Sequence, residues 1–219
     1  MRNLFFSVTV SSGPICWQCA EPISDSLFCR TCKSLQEPSR DYYRVLGLER
    51  HKLNLDPDDL QRRFYDLSRL LHPDRFMRKP ERERQYSLDA TSVLNDAYRT
   101  LRDPVRRAQY LLKQHGFETG DQRSKDVPPE LLEEVFELNM ALEELRGGDA
   151  SARPQLEAAN QNFTAMMQAA DRQLEKLFAV YDALPDNDKL SAIRSVLNRR
   201  KYIQNLVNEV LTALPGIFS

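Results

Sequence analysis

The sequence predicts an all-α protein with two helical domains, preceded by a small four-cysteine module. The chain of 219 residues contains only 7 glycines, which argues against a fold rich in turns. Charged residues make up 29% of the chain, and many stand between apolar residues that recur every three or four positions, as on surface helices. The length exceeds that of one typical domain. We therefore expect an N-terminal module over residues 1–40, a helical-hairpin domain over 41–116 and a three-helix domain over 117–219.

Residues 1–40 lack helical periodicity and contain all four cysteines, as two Cys-x-x-Cys pairs: Cys16 with Cys19, and Cys29 with Cys32. Two such pairs can fill the corners of a tetrahedral zinc site, and a segment this small has too little apolar surface to fold unaided. We predict one structural zinc ion per chain, because four thiolates leave no coordination position open. Disulfides in an oxidising compartment, redox-active dithiols and an iron centre are the alternatives.

An amphipathic pattern over residues 58–71 predicts the first helix of the hairpin. Asp56 suits the cap position and Pro57 the first helical position. The helix should end near His72, because Pro73 disfavours a helical conformation in the residue before it. The residues expected to face the core are Leu60, Phe64, Leu67 and Leu71.

A second long helix is predicted from about Pro80 to Leu101, antiparallel to the first, and the loop between them carries the triplet His72, Pro73 and Asp74. Its expected core-facing stripe is Tyr86, Ala90, Val93, Ala97 and Leu101. Residues 41–48 read as a matching short first helix, and residues 95–101 precede an Asp-Pro pair. This arrangement resembles a J domain.

The J-domain resemblance implies that the His-Pro-Asp loop contacts the nucleotide-binding domain of a DnaK-type ATP-dependent chaperone and promotes its ATP hydrolysis. This chain itself is expected to bind no nucleotide. Arg62, Arg63 and Arg69 would offer a positive face to an acidic patch on that partner, which speeds and orients docking. The alternative for these arginines is an ordinary solvated helix surface.

Two further features resemble one branch of the J-proteins, the HscB family, which serves iron–sulfur cluster biogenesis. The segment 104–116 continues from Tyr110 into two leucines and closes on His-Gly, and the first loop is lengthened over residues 49–55. Some members of that family carry a four-cysteine module. The resemblance implies a co-chaperone that works with a DnaK/HscA-type chaperone and with an IscU-type scaffold on which clusters are built.

Three helical segments are predicted in the last hundred residues, at about 130–146, 151–184 and 187–213. Paired glycines and a Pro-Asp-Asn sequence break them, and such short connections imply antiparallel neighbours in a three-helix bundle. The stripe expected on the middle helix comprises Leu156, Phe163, Met167, Ala170, Leu174, Leu177 and Tyr181.

The first of these three helices has more apolar residues than a bundle needs. One stripe, adequate for the core, comprises Leu131, Val135, Leu138, Leu142 and Leu145. A second stripe of Leu132, Phe136 and Met140 lies a quarter to a third of a turn away and is bordered by glutamates. It is either buried or a partner site. The HscB resemblance assigns Leu132, Phe136, Glu137 and, from the last helix, Tyr202 to scaffold binding, whereas relatives can carry an acidic residue at the position of Met140.

Charge and motif content narrow the function classes. Residues 41–115 contain 16 basic and 12 acidic residues, and residues 116–219 contain 11 and 17, an asymmetry too mild for a nucleic-acid-binding domain. No apolar run is long enough to cross a membrane, and no nucleophile–base constellation or phosphate-binding loop indicates an enzyme. A general folding J-protein and a metal-transfer or redox enzyme remain the alternatives.

The opening ten residues carry one basic residue and no cleavage pattern, so we do not expect a secretory signal. We expect a cytoplasmic location, with the mitochondrial matrix as the alternative. A homodimer is compatible with the sequence.

Overall fold

The computed structural model describes residues 14–23, 26–48, 51–117 and 129–214, and over these ranges the regular secondary structure is helical. The β-structure described consists of isolated bridges that pair Ile15 with Pro22 and Phe28 with Leu35. The all-α prediction is confirmed. The α-helices are α1 Tyr42–Val45, α2 Pro57–Leu71, α3 Glu81–Leu101, α4 Pro104–Gln114, α5 Leu132–Arg146, α6 Arg153–Ala183 and α7 Asn187–Ala213.

The chain divides after Asp103 into two compact units, and the short loop Lys52–Asn54 belongs to the second unit. Helix α4 was not assigned from the sequence. It lies in the second unit because Ala108, Leu111 and Leu112 are buried in that unit's core. The division into compact units falls after residue 103, and the expected domain boundary after residue 116 stays a prediction.

The first unit contains the predicted hairpin of α2 and α3. Helix α2 begins as expected, with the Asp56 carboxylate accepting a hydrogen bond from the backbone N–H of Asp58 at 3.0 Å and with Pro57 at its first position. Phe64 stacks on Tyr98 of α3, with ring centroids 4.2 Å apart and planes 14° from parallel. This aromatic pair joins the middle of α2 to the last turn of α3.

Helix α3 buries Ala90, Ala97 and Leu101 as expected, but the rest of its core face differs from the predicted stripe. The predicted Tyr86 and Val93 are half-buried, and the fully buried positions are Glu83, Ser87, Ala90, Leu94, Ala97 and Leu101. Two polar side chains therefore occupy core positions in the first half of the helix. A pattern of apolar residues alone does not predict such positions.

The second unit contains α4 to α7, and the three predicted C-terminal helices are found within a few residues of their expected ends. Asp186 caps α7 by accepting from the backbone N–H of Lys189 at 2.8 Å. On α6, Met167 and Leu177 are half-buried and Phe178 takes a fully buried position. The remaining predicted stripe of α6 is buried: Leu156, Phe163, Ala170, Leu174 and Tyr181.

The lengthened first loop is fixed into the second unit by one carboxylate. Asp182 of α6 accepts hydrogen bonds from the backbone N–H groups of Leu53 at 2.7 Å and Asn54 at 2.8 Å. The Leu53 side chain is fully buried in the same core. Residues 49–50 of this loop, the opening ten residues and the polar segment 118–128 lie outside the described residues. Over the part of the chain described, no helix is long and apolar enough to span a bilayer.

Asp182→Ala should release the loop, because it leaves two backbone N–H groups without their acceptor, one of them on a buried residue. An unsatisfied buried donor costs about 1–3 kcal/mol, so the free energy of unfolding should fall by that order in urea denaturation. Amide exchange at residues 53 and 54 should accelerate. Glu175→Ala, on an exposed position of the same helix, is the control and should leave both measurements unchanged; equal effects of the two variants would refute this role for Asp182.

Candidate functional site

The His-Pro-Asp triplet forms an exposed turn directly after α2. Leu71 is the last residue of that helix, and a 3-10 turn spans Pro73–Phe76. The His72 and Asp74 side chains are 58% and 78% exposed, with the imidazole Nδ1 3.5 Å from a carboxylate oxygen of Asp74. Nδ1 of His72 also accepts a hydrogen bond from the Asp74 backbone N–H at 3.3 Å. Both polar side chains are therefore presented to solvent together.

The base of this turn is fixed in the first unit. The buried Ser87 hydroxyl on α3 donates to the backbone carbonyl of Leu71 at 2.6 Å, and Thr91 approaches the same oxygen at 3.4 Å. The Phe76 side chain, at the other end of the turn, is 5% exposed. Sequence analysis missed Ser87 and Phe76; the one signal for Ser87 was a small polar residue at helical spacing from Ala90 and Leu94.

The three predicted arginines on α2 differ in their surroundings. Arg62 is exposed and pairs with Asp59. Arg63 is half-buried. It donates hydrogen bonds to the Asp59 carboxylate at 2.7 Å and to the backbone carbonyl of Gly47 at 2.8 Å. The hydrogen bond from Arg63 lowers the pKa of Asp59. Arg69 is exposed and has no ion pair within the described ranges. Arg62 and Arg69 are accessible, whereas Arg63 ties the end of α1 to α2.

The four cysteine sulfurs lie together, all within 4.8 Å of one another. The Cys16–Cys32 and Cys19–Cys29 Sγ distances are each 3.6 Å. A disulfide requires about 2.05 Å, so the thiols are free. Sulfurs at ~2.3 Å from a tetrahedral zinc ion would be about 3.8 Å apart. The residues therefore fit one four-coordinate metal ion, and the disulfide alternative does not match this geometry.

The two Cys-x-x-Cys pairs form equivalent turns. The backbone N–H of Ala20 donates to the Cys16 carbonyl at 3.0 Å, and that of Lys33 donates to the Cys29 carbonyl at 3.0 Å. Ala20 and Lys33 adopt positive φ values of 60° and 61°, which is uncommon for residues with a side chain. The same strained turn used twice points all four sulfurs at one centre.

Polar neighbours stabilise thiolates in this cluster. Burial opposes ionisation of Cys16, but hydrogen bonds from the Ser34 hydroxyl and from backbone amides lower its pKa to about 5. The same hydroxyl, whose single proton is shared between the two sulfurs, and the backbone N–H of Ser34 also lower the pKa of Cys32. The Glu21 backbone N–H favours the Cys19 thiolate, yet burial and the neighbouring thiols raise its pKa to about 12. Without a cation, not all four thiols ionise at neutral pH; a bound cation removes that obstacle.

The second apolar stripe of α5 lies on the surface. Leu132, Phe136 and Met140 are 55%, 65% and 48% exposed, and these three residues are called the α5 face below. Glu137 beside them is exposed. Tyr202 is half-buried against the bundle core, and burial together with the charge of Glu209 raises its pKa. The α5 face is thus not used for packing in this chain.

Two family models match the chain, one over each of its two helical regions. Residues 41–110 match the model described as the DnaJ domain. Residues 127–211 match the model described as the HSCB C-terminal oligomerisation domain.

Curated proteins and solved structures give the same result over most of the chain. The human iron-sulfur cluster co-chaperone protein HscB is 31% identical over 206 residues, which cover 91% of this chain and 82% of that protein. The Arabidopsis thaliana HscB homolog is 36% identical over 135 residues, 61% of this chain and 52% of that protein. The crystal structure of human HscB superposes with a TM-score of 0.66 at 28% identity, covering 92% of this chain and 100% of that one. The HscB structure from Vibrio cholerae gives 0.55 at 32% identity, covering 78% and 96%.

Purified protein should contain one divalent metal ion per chain, and its removal should undock the cysteine module. Trp17, the single tryptophan, lies edge-on to Tyr86 with centroids 6.4 Å apart and under the Arg82 guanidinium at 5.3 Å. A strong chelator should therefore shift tryptophan emission to the red, and acid should do the same because the ligands must be deprotonated. The assignment would be contradicted if elemental analysis found no metal and a thiol assay showed the four cysteines oxidised to disulfides.

Proposed function

The chain belongs to the HscB family of iron–sulfur cluster co-chaperones, and we propose that it stimulates the ATPase of a DnaK/HscA-type chaperone and delivers an IscU-type scaffold to it. The resemblance read from the sequence is confirmed at the level of the family. The observation that carries the finer proposal is the presence of two accessible surfaces on different compact units: the His-Pro-Asp turn on one and the α5 face on the other.

The His-Pro-Asp turn suits contact with a chaperone because it is exposed at its tip and fixed at its base. Ser87 and Phe76 hold the backbone, so little conformational entropy is lost when the turn docks. His72 and Asp74 then offer polar groups from a defined position. The exposed guanidinium groups of Arg62 and Arg69 lie on the helix that leads into the turn and favour an acidic partner surface.

The α5 face suits a protein partner with an apolar centre. Exposed apolar stripes fenced by polar residues mark interaction sites, and large apolar side chains at the centre of an interface provide most of its affinity. Helix α5 carries five glutamates and one arginine. We expect a complementary surface that places basic residues around an apolar patch, with Glu137 at its edge and Tyr202 contributing from α7.

The metal is proposed to be zinc in a structural role. Four thiolates form a closed tetrahedral shell with no position for water or substrate, and no second cluster of metal-ligating side chains is found in the described ranges. The cysteines would hold the ion and fold the module around it, rather than transfer metal or electrons.

A general folding J-protein is the second candidate, and the α5 face argues against it. Unfolded clients need a broad adaptable groove, whereas three exposed side chains on one rigid helix favour a single folded partner. Because the C-terminal family model is described as an oligomerisation domain, self-association through the same face is an outcome that sedimentation can detect.

His72→Gln and Asp74→Asn should each abolish ATPase stimulation while leaving the fold intact. Both side chains are largely exposed, so their replacement should lower the free energy of unfolding by no more than the loss of the His72 cap on the Asp74 N–H, about 1 kcal/mol. Single-turnover ATP hydrolysis by the chaperone, with and without this protein, measures the effect. Asp89→Asn, an exposed carboxylate on α3, is the control; parental stimulation by a folded His72→Gln protein would end the proposal for the turn.

Phe136→Ala and Phe163→Ala distinguish a docking residue from a core residue. Phe136 is 65% exposed and Phe163 is 1% exposed. Truncating the exposed ring should leave Tm unchanged and weaken scaffold binding by about 2 kcal/mol, roughly thirtyfold. Truncating the buried ring should lower stability by about 3–5 kcal/mol. Stimulation of the chaperone without scaffold should be normal for Phe136→Ala, and only the additional stimulation that scaffold provides should be lost.

If Phe136→Ala binds scaffold with parental affinity in titration calorimetry, the α5 face is not the scaffold site. A change from dimer to monomer in that variant would assign the face to a second copy of this chain.

A further inference from the structure

The first half of α3 has little apolar anchoring of its own. Its N-cap is Pro80, which makes no side-chain capping hydrogen bond, and no large apolar side chain is fully buried before Leu94. The buried positions in that half are Glu83, Ser87 and Ala90. A helix end with neither a cap nor an apolar anchor is marginal in water. Contacts from neighbouring elements of the first unit therefore stabilise these turns.

The four-cysteine module supplies part of that support through two contacts. The backbone N–H of Leu35 donates to the Glu83 carboxyl at 3.2 Å, and Glu83 is only 3% exposed. On the next turn, the Trp17 ring packs edge-on against Tyr86, while its indole N–H donates to the Leu35 carbonyl at 2.7 Å. Leu35 is fully buried. The module therefore covers α3 from its first turn to its second.

The segment held by the module also carries the group that fixes the His-Pro-Asp turn. Ser87 is one turn beyond Glu83, and its hydroxyl holds the Leu71 carbonyl at 2.6 Å. Leu71 immediately precedes His72. If the first turns of α3 loosen, the Leu71 carbonyl loses a partner within the buried base of the turn, and an unsatisfied buried acceptor favours opening of the turn.

We propose that the four-cysteine module positions the His-Pro-Asp turn for the chaperone, with Glu83 and Ser87 as the positioning residues that connect the two. No atom of the module needs to touch the chaperone. This inference rests on the proposed function of the turn, and it assigns to the metal a role in that function besides folding its own segment. Metal loading then sets how well the chain stimulates ATP hydrolysis.

Hydrogen exchange of the full-length chain tests the positioning without any chaperone. The reporters are the N–H groups of Arg75, bonded to the His72 carbonyl at 3.0 Å, and of Lys79, bonded to the Phe76 carbonyl at 2.9 Å. Metal removal should accelerate their exchange about tenfold, together with that of residues 81–90, whereas α2 should be unaffected. Unchanged exchange at both reporters after metal removal overturns the proposal, whatever the ATPase assay gives.

Substitutions at Glu83 separate positioning from general destabilisation. In metal-loaded protein, Glu83→Ala should reproduce the fast exchange of the stripped chain and reduce maximal ATPase stimulation several-fold. Glu83→Gln retains an oxygen that can accept from the Leu35 N–H and should behave like the parent. Glu81→Ala, an exposed acidic residue in the same turn, is the control. Parental stimulation by Glu83→Ala with unchanged exchange, or equal loss in Glu83→Gln and Glu83→Ala, overturns the role of this carboxyl.

Failure of the proposed function has a separate signature. If His72→Gln still stimulates the chaperone, the turn is not the contact, and the exchange results then describe a structural coupling alone. If His72→Gln is inactive and metal removal leaves the turn and the stimulation unchanged, the function stands and this inference fails.

Discussion

The hydrogen bond from Ser87 to the Leu71 carbonyl is the interaction on which the presentation of the His-Pro-Asp turn depends. Proline at position 73 forces α2 to end, and the last carbonyls of a helix have no partner inside it. Most helices end at the surface, where water supplies that partner. Here Leu71 is fully buried, so a side chain from α3 must supply it. The exposed turn therefore requires the buried serine, because the helix before it ends where water cannot bind the last carbonyl.

The same constraint explains why the apolar pattern of α3 is incomplete. A serine that must reach a backbone carbonyl cannot be replaced by a larger apolar residue, and Glu83 occupies the preceding turn of the same face. The loss of apolar burial there is offset from outside the helix by Leu35 and Trp17. In the second unit the reverse holds. Helix α5 has apolar residues on two faces, so one face, with Phe136 at its centre, lies exposed and is available for binding.

The sequence predicted features that depend on local chemistry. Asp56 and Pro57 marked the start of α2, because capping uses residues within one turn. The Pro-Asp-Asn sequence marked the break before α7, and the structure adds that Asp186 is the cap. The cysteine spacing predicted the sulfur cluster, because the two sulfurs of each Cys-x-x-Cys pair are brought together by one local turn. Features that depend on contacts distant in sequence were missed. The burial of Glu83 on α3 depends on Leu35, 48 positions earlier, and α4 packs against α7, about 80 positions later. The exposure of the α5 face required the whole bundle, since pattern alone allowed either outcome.

The four-cysteine module stabilises the first turns of α3, where other helices of the chain are stabilised by burying apolar side chains. Among its described residues only Cys16, Cys29 and Leu35 are buried apolar side chains, two of them members of the sulfur cluster. So small a core cannot fold on its own, and the free energy of metal binding becomes free energy of folding. The Leu35 N–H and the Trp17 ring then transmit that stabilisation to Glu83 and Tyr86. A chain of this architecture without the cysteines would leave the Glu83 carboxyl without its buried donor. It would therefore need an apolar residue at that position, or a side-chain cap in place of Pro80, to keep Ser87 on the Leu71 carbonyl.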